Sequence, residues 1–254
     1  HFTIHSFPTR RSSDLVASPE ALIPLPEDVS TENGVLIPNL ETAVNFLLDG
    51  QPQIGERVAV FGQGVVGLLT TALLDRFPLE MLVTVEPNPA RRRQSLAWGA
   101  TRSVAPDEVE ALQEALNVHS AEAVETGGGE AEGADLVYEL SGDPSVLTDV
   151  IQVAGYDGRV VVGSWYGDKR APVDLGGRFH RSRIQISSSQ VSSIRPDQRG
   201  RWSKTRRMNV VTRLLEDLQP GQLISDRFSV EEASEAYARL SQAGEAALQP
   251  VFCY

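Results

Sequence analysis

Gly62, Gly64 and Gly67 stand at the spacing GxGxxG within Arg57-Val-Ala-Val-Phe-Gly-Gln-Gly-Val-Val-Gly67. Glycines so placed let backbone N–H groups approach a pyrophosphate at the start of a helix. The chemistry this offers is phosphate recognition rather than bond making. The pattern is short, and its weight comes from its flanks. Val58, Val60 and Phe61 make an apolar strand before it, and Leu68, Leu69, Ala72 and Leu73 make an apolar helical stripe after it. A second apolar run, Met81-Leu-Val-Thr-Val-Glu86, ends in an acid 19 positions after Gly67. In a dinucleotide-binding unit that is the place of the carboxylate that accepts from the adenosine ribose hydroxyls.

The elements that must hold these residues follow on both sides. Leu40, Ala43, Val44 and Leu47 keep helical spacing from Pro38 to Asp49, and Gly50 is placed to stop that helix. After Glu86 come a helix over 89–98, a short strand near 102–105, an amphipathic helix over 107–117 and a glycine-rich loop over 119–133. Ala134 to Leu140 is again a strand, after which Asp143 caps a helix that opens on Pro144 and ends at Gly155. Arg159 to Ser164 and Arg183 to Ser187 are further strands. Strands alternating with helices of this length predict an α/β fold with a doubly wound parallel sheet. Ligands of such sheets bind at the strand C-termini. Beyond Ile194 the pattern changes to a helix over 203–218, a strand over 223–228, a capping-box helix from Ser229 and a terminal strand over 248–254.

The totals bound the function. A chain of 254 residues with net charge −11 argues against general nucleic-acid or membrane-surface binding. The longest stretch without a charge, Val58 to Leu74, is too short for a membrane span and contains the glycine turn. The single cysteine, Cys253, excludes an internal disulfide framework and a multi-cysteine zinc site, consistent with a reducing cytoplasm. Cys253 is expected to be buried. His5-Ser-Phe-Pro-Thr-Arg-Arg-Ser-Ser-Asp-Leu15 reads as an in-frame translation of a sequencing adapter over eleven consecutive residues. Residues 1–15 are therefore expected to be a disordered, functionless, non-native tail.

The ordered motifs Val58-Ala-Val-Phe-Gly-Gln-Gly-Val-Val-Gly67, Val85-Glu-Pro-Asn-Pro-Ala-Arg91, Leu96-Ala-Trp-Gly-Ala100, Gly133-Ala-Asp-Leu-Val-Tyr-Glu-Leu-Ser-Gly142 and Gly158-Arg-Val-Val-Val-Gly163 resemble the medium-chain, zinc-type alcohol dehydrogenases. The likeness runs from Val16 to Tyr254. The stretch Ser188 to Ile194, with Arg201-Trp202 and Arg206-Arg207, is similar to the subgroup that includes bacteriochlorophyllide dehydrogenase-like proteins. The resemblance implies a remnant of a catalytic domain over 16–34, a Rossmann domain over 35–197, and a helix with a return to the catalytic domain over 198–254. It implies that Gly62, Gly64, Val65, Val66 and Gly67 cradle the pyrophosphate and that Glu86 holds the adenosine ribose. A carboxylate there favours NAD over NADP, because it repels a 2′-phosphate. Arg91 would lie near the adenine. Ser141 and Gly142 would line the path to the nicotinamide ribose, with Gly163, Ser164 and Ser188 near the nicotinamide.

The family also implies an alcohol or carbonyl substrate, a homo-oligomeric full-length form, and a zinc ion that polarises the substrate oxygen while hydride moves to the nicotinamide. No cluster of zinc ligands stands in this sequence, so zinc is expected only in a full-length parent, with this chain a fragment that leaves the catalytic residues unknown. A zinc-independent quinone reductase and a non-catalytic NAD-sensing module are the competing readings. From Arg178 to Arg207 nine Lys and Arg stand against the single acid Asp197. Such a run suits a solvated face, an interface or an anionic ligand better than nucleic acid.

Overall fold

The computed structural model describes residues 2–3, 22–118, 132–242 and 247–253. Six parallel strands form the central sheet: β1 (Arg57–Phe61), β2 (Met81–Val85), β3 (Arg102–Val104), β4 (Ala134–Glu139), β5 (Ala154–Val162) and β6 (Gln185–Ser188). Their spatial order is β3-β2-β1-β4-β5-β6. This is a doubly wound Rossmann sheet whose strand order reverses between β1 and β4. There Val58 pairs with Leu136 and Phe61 with Glu139, so the two strands end level at the point of reversal.

Burial on both faces explains the continuous apolar runs that mark the inner strands. Val58, Val60, Leu136 and Tyr138 pack on one face with Phe46 of α1 (Ile37–Gly50) and Leu74 of α2 (Val65–Leu74). Ala59, Phe61 and Val137 pack on the other, against Leu112 of α4 (Val109–Ala115) and Ile151 of α5 (Leu147–Val153). The helix between β2 and β3, α3 (Pro89–Ala97), begins on an Asn88 cap.

Three local expectations are corrected. Gly50 is the last helical residue of α1, and the left-handed stop falls one position later at Gln51, with φ of 51°. Gly50 is needed instead because a Cβ there would collide with the Tyr138 hydroxyl. β5 begins at Ala154 rather than at Arg159, because the chain pairs with Ala134 directly after α5. Cys253 is exposed: among the described residues β8 (Gln249–Cys253) pairs only with β7 (Ile224–Ser229), in a two-stranded parallel sheet beside α7 (Ala233–Gln242). At the other end, Phe2 and Thr3 are the described members of residues 1–15, and they pair with Pro24 and Ile23. The rest of that segment, and the loop over 119–131, lie outside the described residues.

The basic stretch from Arg178 to Arg207 does not form one charged surface. α6 (Lys204–Leu218) packs Val211 and Leu215 against Leu40 and Val44 of α1 and Leu69 of α2. Arg207, 1% exposed, donates from Nε and Nη2 to Oε1 of Glu41 at 3.1 and 2.7 Å, from Nη1 to Oδ1 of Asn45 and from Nη2 to the Val191 carbonyl. Arg195 reaches the Asp49 carbonyl and pairs with Asp197, while the Arg206 guanidinium lies 4.3 Å over the Trp202 ring. The cations therefore fasten α6 and the loop before it onto α1. Removing one partner of a buried pair strands the other charge. Arg207→Ala is expected to lower the unfolding free energy by about 3–5 kcal/mol in chemical denaturation. A loss below about 1 kcal/mol, the level of an exposed pair, would contradict the clamp.

Candidate functional site

A cleft of about 670 Å³ opens at the C-terminal ends of β1, β2 and β4. Gly62 and Gly64 of the turn, Glu86 and Arg91 beyond β2, and Ser141 beyond β4 line it. Its far wall comes from α4 and α5, including Val109, Gln113 and Val153.

The three glycines have three separate causes. Gly62 has φ of +93°, and a Cβ there would lie 2.7 Å from the backbone of Leu140 and Ser141. A Cβ on Gly67 would collide with the Gly62 carbonyl oxygen. Gly64 meets nothing within 4 Å and faces open space. It is also the N-cap of α2 and supplies no side-chain cap, so the N–H groups of the first helical turn have no capping side-chain oxygen. The Gln63 side chain folds inward, donating to the Gly62 carbonyl at 3.0 Å and accepting from the Thr71 hydroxyl at 3.0 Å. A helix N-terminus with open space before it and two backbone crossings packed too tightly for a Cβ fits a pyrophosphate.

Glu86 ties this turn to β2. One carboxylate oxygen accepts the Gln63 N–H at 2.7 Å and the other accepts the Asn88 N–H at 3.0 Å. Asn88 then caps α3 by accepting from Ala90 and Arg91 at 2.8 and 3.2 Å. Each carboxylate oxygen retains lone-pair capacity for a second donor. Arg91 lines the cleft while its Nη2 donates to the Ala247 carbonyl at 3.2 Å.

The β4 side carries a second acid that sequence reasoning passed over. Glu139 is 0% exposed and accepts the Ser141 N–H at 2.8 Å, the Ser141 hydroxyl, and the Tyr166 hydroxyl at 2.5 Å. Ser164 accepts the Gly142 N–H at 2.8 Å, and Lys169 Nζ donates to the Gly142 carbonyl at 2.8 Å. The signal was present: Glu139, like Glu86, is an acid at the C-terminal end of an inner strand. Tyr166 had no signal, because its partner lies 27 positions away.

The structure thus gathers Gly62, Gly64, Glu86, Arg91 and Ser141 on one cleft. Val65 is buried at the start of α2, Val66 packs toward Phe46 and Val58, and Gly67 supports the turn from behind. Gly142 and Ser164 bond to one another beside the cleft. Gly163 is pressed against Phe46 and Leu140, where a Cβ would collide with both side chains. Ser188 lies on edge strand β6 opposite Val162 and away from the cleft lining. No group of three or more His, Cys, Asp or Glu among the described residues is arranged to hold a metal ion. No helix is long and apolar enough to cross a membrane, among the described residues.

The family described as zinc-binding dehydrogenase matches residues 65–208, more than half of the chain. The chain is similar to (R,R)-butanediol dehydrogenase of Bacillus subtilis (strain 168), with 29% identity over 175 residues, 69% of this chain and 45% of that protein. It is also similar to probable D-xylulose reductase A of Arthroderma otae, with 30% identity over 145 residues, 57% of this chain and 39% of that protein. The chain thus spans less than half the length of these relatives. Among solved structures, alcohol dehydrogenase TADH from Thermus sp. ATN1 has a TM-score of 0.72 at 22% identity, covering 92% of this chain and 61% of that one. A short chain alcohol dehydrogenase from E. coli CFT073, complexed with cofactor NADH, has a TM-score of 0.71 at 18% identity, covering 94% and 64%. At these identities the structural likeness shows the fold.

Two tyrosines near the sheet are held protonated. Burial raises the Tyr138 hydroxyl well above its ordinary value of 10.0. Burial and the bond to Glu139 do the same for Tyr166. A hydroxyl whose folded value is raised contributes stability below the unfolded value and loses it as pH rises above it. Stability is therefore expected to fall above about pH 10. Ultraviolet titration should show Tyr138 and Tyr166 ionising only with unfolding; ionisation of all tyrosines near pH 10 in the folded chain would contradict these placements.

Proposed function

Because the chain belongs to the zinc-binding dehydrogenase family, we propose that it carries the nucleotide-holding half of an NAD(H)-dependent oxidoreductase acting on a small-molecule alcohol or carbonyl. The observation that carries this reading is the Glu86 carboxylate bound to the glycine turn, beside an uncapped helix N-terminus facing open space. When bound, the nicotinamide would supply the hydride acceptor or donor.

The chain's own residues would orient it. The N–H groups of Gly64, Val65 and Val66 would take the pyrophosphate, with the missing side chain of Gly64 leaving its path open and Gly62 and Gly67 allowing the close packing that holds the turn. Glu86 would accept from the adenosine ribose with its remaining lone pairs, and Arg91 would border the adenine. Ser141, Gly142, Gly163, Ser164 and Ser188 would shape the nicotinamide end. The described residues offer no ligand set for zinc. The relatives named for butanediol and xylulose favour a diol or polyol as the alcohol.

The ribose role of Glu86 fixes cofactor choice. A 2′-phosphate would meet a carboxylate already committed to two backbone donors, and like charges brought together cost several kcal/mol. Calorimetric titration is expected to give an NAD affinity at least about tenfold above that for NADP. Equal or reversed affinities would remove Glu86 from this role.

A further inference from the structure

Glu139 is a carboxylate buried at the reversal point of the sheet with no basic side chain paired to it among the described residues. Its contacts are the Ser141 N–H, the Ser141 hydroxyl and the Tyr166 hydroxyl. All three donate, which is the arrangement of an ionised carboxylate, an acceptor only. Lys169, in the loop beyond β5, donates to the Gly142 carbonyl and is exposed. Ser164, Tyr166 and Lys169 tether that loop to the end of β4: Ser164 bonds Gly142 and the Glu139 carbonyl, Tyr166 the Glu139 carboxylate and Lys169 the Gly142 carbonyl.

A dinucleotide at a reversal point lays one nucleotide on each half of the sheet. With Glu86 marking the adenosine half beyond β2, the other half lies over the ends of β4 and β5, where Glu139 sits behind Ser141. Glu139 is itself inaccessible, so it acts on a ligand through its field and through the Ser141 backbone it orients. In that low-dielectric position a fixed charge is poorly screened.

We propose that Glu139 is a positioning residue whose buried charge favours the oxidised, positively charged nicotinamide over the neutral reduced one, setting the relative affinity of the chain for NAD+ and NADH. The inference rests on the nucleotide reading above. Tyr166 moderates the effect, since its hydroxyl dipole offsets part of the charge. The two residues therefore act in opposite directions on the same quantity.

The test is the ratio of dissociation constants, Kd(NAD+)/Kd(NADH), measured by calorimetry on the full chain and on Glu139→Gln and Tyr166→Phe. Glu139→Gln keeps the size of the side chain and an accepting oxygen while removing the charge, and it is expected to raise the ratio about tenfold. Tyr166→Phe is expected to lower it a few-fold by withdrawing a donor from the charge. A merely structural role would weaken both forms by the same factor. Equal changes for NAD+ and NADH in both variants, or ratios that move in the same direction, would overturn the charge assignment alone. Should Glu139→Gln fail to fold, Tyr166→Phe decides, and an unchanged or raised ratio overturns the proposal. Binding of neither nucleotide by the unaltered chain would overturn the nucleotide site itself, and this inference with it.

Discussion

One carboxylate decides the shape of the site. Glu86 takes the N–H of Gln63 and the N–H of Asn88, and Asn88 passes the connection on by capping α3. The glycine turn, the end of β2 and the start of the next helix are thereby fixed relative to one another. A buried carboxylate is tolerable only with its oxygens satisfied. The requirement works in both directions, because the turn must adopt the geometry that delivers its N–H. Gly62 can then pass close to Leu140 and Ser141, and α2 presents a bare N-terminus to the cleft. Everything assigned to phosphate recognition follows from that packing.

The other half of the sheet repeats the device with different partners. Glu139 ends β4 as Glu86 follows β2, and it too gathers nearby N–H and O–H donors into a turn. A further buried polar cluster has another purpose. Arg207, Glu41 and Asn45 lie between α6 and α1 and hold the layer that covers the sheet. Charge is thus used in two ways within one chain: at the strand ends it shapes a cleft, and between helices it joins packed layers.

Local signals made the first half of this readable. Glycine spacing, apolar runs and a carboxylate at the right distance specify β1, the turn, α2 and β2, since each rule acts over a few residues. The parallel, doubly wound sheet followed from alternation of strands and helices. What stayed hidden depended on distant partners. Gly50 reads as a helix stop, yet its small size serves Tyr138, far along the chain. The basic run from 178 to 207 reads as one charged face, but its members have separate destinations: Arg178 on the Ala154 carbonyl, Arg195 on Asp49 and Arg207 on Glu41. Cys253 looks like a core residue in an apolar ending, and is exposed on β8, which has a single neighbour among the described residues.

As a nucleotide cradle, the Gly62–Gly67 turn with Glu86 should respond directly to a bound dinucleotide. The most direct measurement is an NADH titration of the 15N-labelled chain followed through its backbone amides. The largest changes are expected at Gln63, Gly64, Val65 and Val66, with Asn88 responding through Glu86. Saturable binding that leaves those amides unmoved while others shift would contradict the cradle.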